Sequence, residues 1–158
     1  MIAAASPADL PEMASLMAAS ALLRRYRVSE PGALRSLSTA LEAGDVLLVS
    51  RETRVTGLVW LSFAPRVLNG AAYLRLLLVA EGARNAGTGA RLLATVETRA
   101  RKRANHLFLL ATTDNSGARR FYEHHGYRHV GNLPGLVWPD LDEALYHKSL
   151  RPYAKRLG

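Results

Sequence analysis

Apolar positions recur every three or four residues in the first quarter of the chain, and β-rich runs set in after it. Leu10, Met13 and Met17 stand at helical spacing behind Ser6-Pro7-Ala8-Asp9. There a serine cap, a proline in the first turn and an aspartate three residues on mark a helix start. Leu34, Leu37 and Leu41 repeat the pattern between Glu30-Pro31 and Gly44, which predicts a second helix with a glycine terminator. Arg24-Arg25-Tyr26-Arg27 lies between the two as a basic connector. From Val46 the period shortens. Val46–Ser50 and Val55–Ala64 are β-rich runs around a short polar turn, the signature of a hairpin. Pro65 to Gly70 breaks the pattern. Ala71–Val79 then alternates, with Tyr73, Arg75, Leu77 and Val79 on one face and Leu74, Leu76 and Leu78 on the other.

The second half predicts a helix from about Gly87 to Lys102, with Leu92, Leu93, Val96 and Ala100 on one side. A strand over His106–Thr112 and a helix over Ser116–His125, ended by Gly126, follow. The last strands are expected at Tyr127–Val130 and Ala144–Leu150, divided by a loop holding Pro134, Gly135 and Pro139. Two helices, a hairpin and then alternating strands and helices predict an α/β domain on a mixed sheet. The 158 residues are expected to form one domain over 1–158 with a real core. A 49% hydrophobic and 22% charged composition excludes a disordered or fibrous chain. Apolar runs such as Leu76–Ala80 are far short of the roughly 20 residues of a membrane helix, so no membrane partner is expected. The N-terminus lacks the cationic start and apolar core of a signal peptide. The absence of cysteine removes disulfides, thiolate nucleophiles and thiolate zinc sites together. A reducing cytoplasm is the expected setting.

A net charge of +8 favours an anionic partner: nucleic acid, a membrane surface or a phosphorylated ligand. The cations are nearly all arginine; Lys102, Lys148 and Lys155 are the only lysines. A codon bias toward Ala, Leu and Arg produces the same excess, so charge ranks below any motif.

The most informative stretch runs from Leu76 to Leu93, where a strand enters a Gly-rich turn and the turn opens a helix. The free N–H groups of a helix's first turn, with its dipole, bind anions. Gly87 and Gly89 carry no Cβ, so a phosphate can approach the backbone, and Arg84 can add a charged donor. A Walker A loop fails because Thr88 stands where its lysine must be, and a dinucleotide fingerprint fails because Leu92 stands at its third glycine. Arg84-Asn85-Ala86-Gly87-Thr88-Gly89 does fit Arg/Gln-x-x-Gly-x-Gly/Ala. The bland alternative is a Gly-rich turn before a packed helix.

A second block, Asn115-Ser116-Gly117-Ala118-Arg119-Arg120-Phe121-Tyr122-Glu123-His124-His125-Gly126-Tyr127, begins with Asn115 or Ser116 as a helix cap. Phe121 and Tyr122 are adjacent and face different sides of that helix, so one can be core while the other meets a site. Taken alone, Tyr122 reads as a half-buried packing residue.

The two blocks together resemble the GNAT superfamily of acyl-CoA-dependent N-acyltransferases over Asp45–Leu150. The second block is similar to that family's Asn-x-x-Ala-x-x-Phe-Tyr-x-x-x-Gly-Phe/Tyr pattern, and Asp142–Leu150 to its last strand. The resemblance implies a largely antiparallel central sheet with a splayed parallel strand pair and flanking helices. It implies that Arg84, Asn85, Ala86, Gly87, Thr88, Gly89 and Ala90 hold the pyrophosphate of acetyl-CoA through backbone N–H groups. It also implies that Leu77, Leu78 and Val79 pair with the pantetheine arm. Asn115 then contacts the pantetheine or phosphate region, Ala118 and Arg119 lie along the cofactor, and Tyr122 sits near the thioester sulfur. Two departures stand out: Asn85, where Gly is common, and Ala80-Glu81, where proline is common at the second position. Neither removes a backbone donor.

Acetyl-CoA is thus the expected co-substrate and a small-molecule or protein amine the expected acceptor, with a homodimer left open and no metal. The five histidines, at 106, 124, 125, 129 and 147, show no converging metal spacing. His124 and His125 read as solvated helix-end residues. No Gly-x-Ser-x-Gly elbow exists. Tyr122 is the expected catalytic acid, a backbone N–H of Leu77 or Leu78 the oxyanion donor, and Glu81, Asp140, Glu143 and His106 the unranked candidates for the base. Two alternatives stand beside this one. One is a basic nucleic-acid-binding module resting on Arg24–Arg27 and Arg99–Arg103, which lacks helix-turn-helix, zinc or aromatic-platform signals. The other is an acyl-CoA binder without turnover.

Overall fold

The structure, a computed structural model, describes residues 1–63 and 67–151. Ala64 and Pro65, and Lys155 near the end, lie outside the described residues. Two compact units emerge: Met1–Ser62 with Leu74–Arg99, and Phe63–Tyr73 with Ala100–Gly158.

In the first unit the helix start at Ser6 forms as its residues dictate. The Asp9 carboxylate accepts the N–H and the hydroxyl of Ser6, each at 2.7 Å. A single 3-10 turn over Pro7–Asp9 leads into α1, Leu10–Ala19. A short α2, Ala21–Arg25, follows, capped by the Ser20 hydroxyl accepting the Leu23 N–H. Arg24 and Arg25 therefore end a helix rather than forming a connector. The second long helix, α3, spans Glu30–Glu42, with the Ser29 hydroxyl accepting the Gly32 N–H. The strands are β1 (Ile2–Ala4), β2 (Val46–Arg51), β3 (Val55–Phe63) and β4 (Ala72–Val79), and α4 spans Thr88–Ala100. β1 pairs antiparallel with β2, and β2 with β3. Leu10, Met13, Met17, Leu37, Leu47, Val49, Leu58 and Leu78 form the core on the α1 and α3 face, and Leu92, Leu93 and Val96 are buried along α4.

The second unit holds β5 (His106–Thr112), α5 (Ser116–His124), β6 (Arg128–Trp138) and β7 (Leu141–Ser149). β7 pairs antiparallel with both β5 and β6. The segment expected as a loop around Pro134 is strand instead. The β6–β7 register breaks between Leu133 and Trp138, so Pro134, which has no N–H to donate, sits where the ladder is already irregular. Within the first unit the strand order is β1-β2-β3-β4, and within the second it is β5-β7-β6. A mixed α/β fold with a largely antiparallel sheet and flanking helices, as the sequence leads one to expect, is what the chain adopts. Among the described residues no helix is long and apolar enough to cross a membrane.

Candidate functional site

The Gly-rich turn belongs to the first unit. β4 ends at Val79, and the next N–H, that of Ala80, bonds the Thr56 carbonyl of β3 at 2.8 Å. A 3-10 turn over Glu81–Ala83 then reverses the chain. Asn85 stands at φ 65° and Gly87 at φ 74°. Both are left-handed, a region costly for most side chains and least so for glycine and asparagine. Asn85 therefore supplies the conformation that glycine would give. Arg91 is the first residue whose N–H finds a carbonyl four back, Gly87 O at 3.1 Å. The N–H donors of Thr88, Gly89 and Ala90 precede that ladder. Arg84, Asn85, Ala86 and Gly87 are exposed, while Thr88 is buried. Leu78 is buried in the core, and Leu77 and Val79 are half-buried.

Two residues that build this turn carry no motif. Arg91 folds back over it, donating to Ala86 O at 3.0 Å and to Thr88 Oγ1 at 3.2 Å. Its spacing of three from Thr88 was the one available signal. Gly57, on β3, faces the start of α4: a Cβ there would lie 2.8 Å from Leu92 Cδ1 and 3.1 Å from Leu78 O. Its bare backbone lets the first turn of α4 seat closely against the sheet.

The second block lies in the second unit. Asn115 caps α5, its Oδ1 accepting the Ala118 N–H at 3.1 Å. Asn115, Ala118 and Arg119 are half-buried and Tyr122 is buried. Aromatic rings surround Tyr122: Phe121 at 5.2 Å, Tyr127 at 5.6 Å and Tyr146 at 6.5 Å between centroids. Burial pushes the Tyr122 phenol above its ordinary range. The hydroxyl therefore stays protonated across physiological pH, which suits a proton or hydrogen-bond donor and excludes a phenolate base.

Arg119 is engaged within its own unit. Its Nε donates to the Tyr146 hydroxyl at 2.9 Å and an Nη donates to Thr113 O at 3.0 Å. The bond to Tyr146 raises the guanidinium further above its ordinary range. Tyr146 in turn donates to Glu123 Oε1 at 2.8 Å. Sequence reading missed Tyr146, because a tyrosine in the final strand looks like any alternating strand residue.

The four candidates for the base differ in setting. Glu81 and Asp140 are exposed, at the turn after β4 and at the β6–β7 turn. His106 is exposed and shares a 2.9 Å hydrogen bond with His147. Glu143 is a buried carboxylate on β7, opposite Thr112 of β5. His125 is not simply solvated: it is half-buried, its Nδ1 2.7 Å from Phe121 O, with the Phe121 ring at 4.5 Å. His124 is exposed.

A family model described as the acetyltransferase (GNAT) family matches residues 16–127, a span that takes in the turn and all of α5. Similar solved structures include a ribosomal-protein-alanine N-acetyltransferase from Brucella melitensis. It is 22% identical, with 94% of this chain and 99% of that one covered and a TM-score of 0.77. Ard1 from Thermoplasma volcanium is 20% identical, with coverages of 96% and 98% and a TM-score of 0.80. An aminoglycoside 6'-N-acetyltransferase complexed with coenzyme A is 15% identical, with coverages of 96% and 98% and a TM-score of 0.78. At these identities the likeness is one of fold. No curated protein gives a significant match.

Proposed function

We propose, since this chain belongs to the acetyltransferase (GNAT) family, that it transfers an acetyl group from acetyl-CoA to a primary amine by direct attack in a ternary complex. The observation that carries this reading is the turn from Arg84 to Ala90. It joins an exposed, left-handed backbone to the unladdered donors of α4, the arrangement an anionic diphosphate needs. One domain over 1–158 in the cytoplasm is part of the same reading.

In this mechanism Gly87, Thr88, Gly89 and Ala90 bind the pyrophosphate through N–H groups, with Arg84, Asn85 and Ala86 around it. The backbone of Leu77, Leu78 and Val79 holds the pantetheine arm, and Asn115, Ala118 and Arg119 line its course. An alkyl ammonium, with a pKa of about 10.4, must first lose its proton to a base or to water. The free amine then attacks the thioester carbonyl, whose oxygen gains charge beside a backbone N–H of Leu77 or Leu78. The C–N bond forms, the C–S bond breaks, and the electron pair leaves on sulfur. Tyr122 donates its proton as that charge develops, and the proton that the nitrogen sheds on becoming an amide passes to solvent, from which the phenol regains its own. Its raised pKa is no obstacle, because the same desolvation makes the departing thiolate more basic than its exposed value of about 8.5.

The test is thiol release from acetyl-CoA with a panel of amines: a polyamine, an aminoglycoside, a peptide with a free α-amino group and a lysine peptide. At least one is expected to be acetylated. Acetyl-CoA binding without transfer to any of them would favour the non-catalytic acyl-CoA binder. For the nucleic-acid alternative, several arginines already have partners. Arg24 bonds Ala19 O, Arg101 bonds Leu150 O, and Arg103 stacks on Phe63. DNA or RNA binding is expected to be weak at physiological salt and unselective.

A further inference from the structure

We infer that Tyr146 is a positioning residue for the Tyr122 acid: its hydroxyl locks the rotation of α5 on the sheet through Arg119 and Glu123. The inference rests on the role proposed above for Tyr122.

Tyr146 is fully buried on β7. A buried phenol needs a partner for its hydroxyl, and this one has two on a single helix. Arg119 Nε donates to it at 2.9 Å, and it donates to Glu123 Oε1 at 2.8 Å. Arg119 and Glu123 are four residues apart, hence on one face of α5. Tyr122 lies between them in sequence and turns its ring toward Tyr146 and Tyr127. The Arg119 bond to Thr113 O adds a third tie, to the loop that precedes α5.

The chemical consequence follows from geometry. A helix packed through rings alone can rotate or slide by a fraction of a residue at little cost. Two hydrogen bonds to charged groups, one on either side of the hydroxyl, resist that motion directionally. The Tyr122 hydroxyl has to meet a sulfur at hydrogen-bond distance, and a misplacement of about 1 Å can cost roughly 10²-fold in rate. Removing the Tyr146 hydroxyl also leaves both charged partners reaching for an absent oxygen, so α5 has reason to turn. Burial favours the neutral phenol at Tyr146, which keeps the proton it donates to Glu123.

The experiment is a double-mutant cycle of Tyr146→Phe with Tyr122→Phe, read as CoA thiol released above the uncatalysed rate. The acceptor is the amine that the panel above shows to be acetylated, held at saturation. Tyr146→Phe alone is expected to lower kcat about tenfold while the KM for acetyl-CoA stays within threefold. In the Tyr122→Phe background the same change is expected to have no further effect on kcat. The exposed Glu123 gives a second variant that need not disturb the core: Glu123→Ala should lower kcat more than Glu123→Gln, which keeps an acceptor oxygen. The inference is overturned if Tyr146→Phe and Glu123→Ala both keep wild-type kcat while Tyr122→Phe loses it. It is overturned equally if Tyr146→Phe costs the same factor in both backgrounds, since the hydroxyl then acts independently of Tyr122. Wild-type turnover in Tyr122→Phe alone removes the underlying role and the inference with it.

Discussion

The turn after β4 and the helix α5 solve opposite problems. In the proposed mechanism the turn offers chiefly main chain to the ligand, and its shape is held by Arg91 bonding Ala86 O and Thr88 Oγ1. In the same mechanism α5 offers a side chain, Tyr122, and the Tyr146 hydroxyl on β7 bonds Arg119 and Glu123 of that helix. Backbone recognition tolerates many sequences but not a new Cβ at the wrong place. Side-chain chemistry tolerates little change in the atom but allows its support to vary. Substitutions in the turn should therefore read out as affinity, and those in α5 as turnover.

The sharpest way to break that division is Tyr122→Phe. The ring and its packing remain, so acetyl-CoA affinity should stay within a few-fold and the melting temperature should barely move. The turnover number should fall by about 10²–10⁴, the usual worth of a positioned proton donor. Rapid-quench measurement of the chemical step checks this, and an unchanged rate would return Tyr122 to the role of a packing ring.

Gly89→Val probes the other side. Gly89 lies in the first turn of α4, so valine needs no left-handed backbone there and mainly blocks the approach of a diphosphate. Losing one or two hydrogen bonds to a charged group should weaken acetyl-CoA about 10- to 100-fold by calorimetry, with kcat at saturation much less affected. A kcat defect at unchanged affinity would contradict the assignment of binding to this turn.

Gly57→Val asks whether the seat of α4 matters to the turn. The added side chain meets Leu92 and backbone at Leu78, and overpacking of this kind costs about 1–3 kcal/mol. A lowered denaturation midpoint together with weaker acetyl-CoA binding is expected. Loss of stability with unaltered binding would separate the turn from its seat.

The smallest effect concerns Arg51, which bonds Asp9 at 2.7 Å and Glu12 at 2.9 Å in the first unit. Asp9 is held below its ordinary range chiefly by hydrogen bonds from Ser6, and Glu12 chiefly by the Val55 N–H, with Arg51 contributing to both. Groups with lowered folded-state values stabilise the protein above their ordinary range, and that stability fades as pH falls through the lowered values. Arg51→Gln should lower the urea midpoint only slightly at neutral pH, because the ions are partly exposed and screened by solvent. The difference from wild type should vanish in acid, where both carboxylates are protonated. Urea unfolding at several pH values checks it, and catalysis should be unaffected.

Long periodic elements were legible in the sequence. α3, α4, β5 and α5 lie within one or two residues of where apolar spacing and capping put them. Strand β1 was not legible, because three residues with two alanines show no period, and only pairing of Ala3 with Val49 makes them a strand. Helix α2 is too short for periodicity. β6 was cut short by the ordinary rule against proline in strands, which the register break at Pro134 evades. The residues of the candidate site were legible where a motif carries them, as at Gly87 and Tyr122. The supporting residues were not: Arg91, Gly57 and Tyr146 act through tertiary contacts that no local spacing encodes.

The central claim is that acetyl-CoA is a ligand of this fold, and thermal unfolding in a titration with acetyl-CoA tests it most directly. At about 100 times its dissociation constant the ligand should add roughly 2.7 kcal/mol, or about 5–10 °C in Tm for a chain of this size. The rise should follow the logarithm of ligand concentration and shrink in Gly89→Val. A Tm unmoved by acetyl-CoA over the whole titration, in a protein that otherwise unfolds cooperatively, would contradict the account.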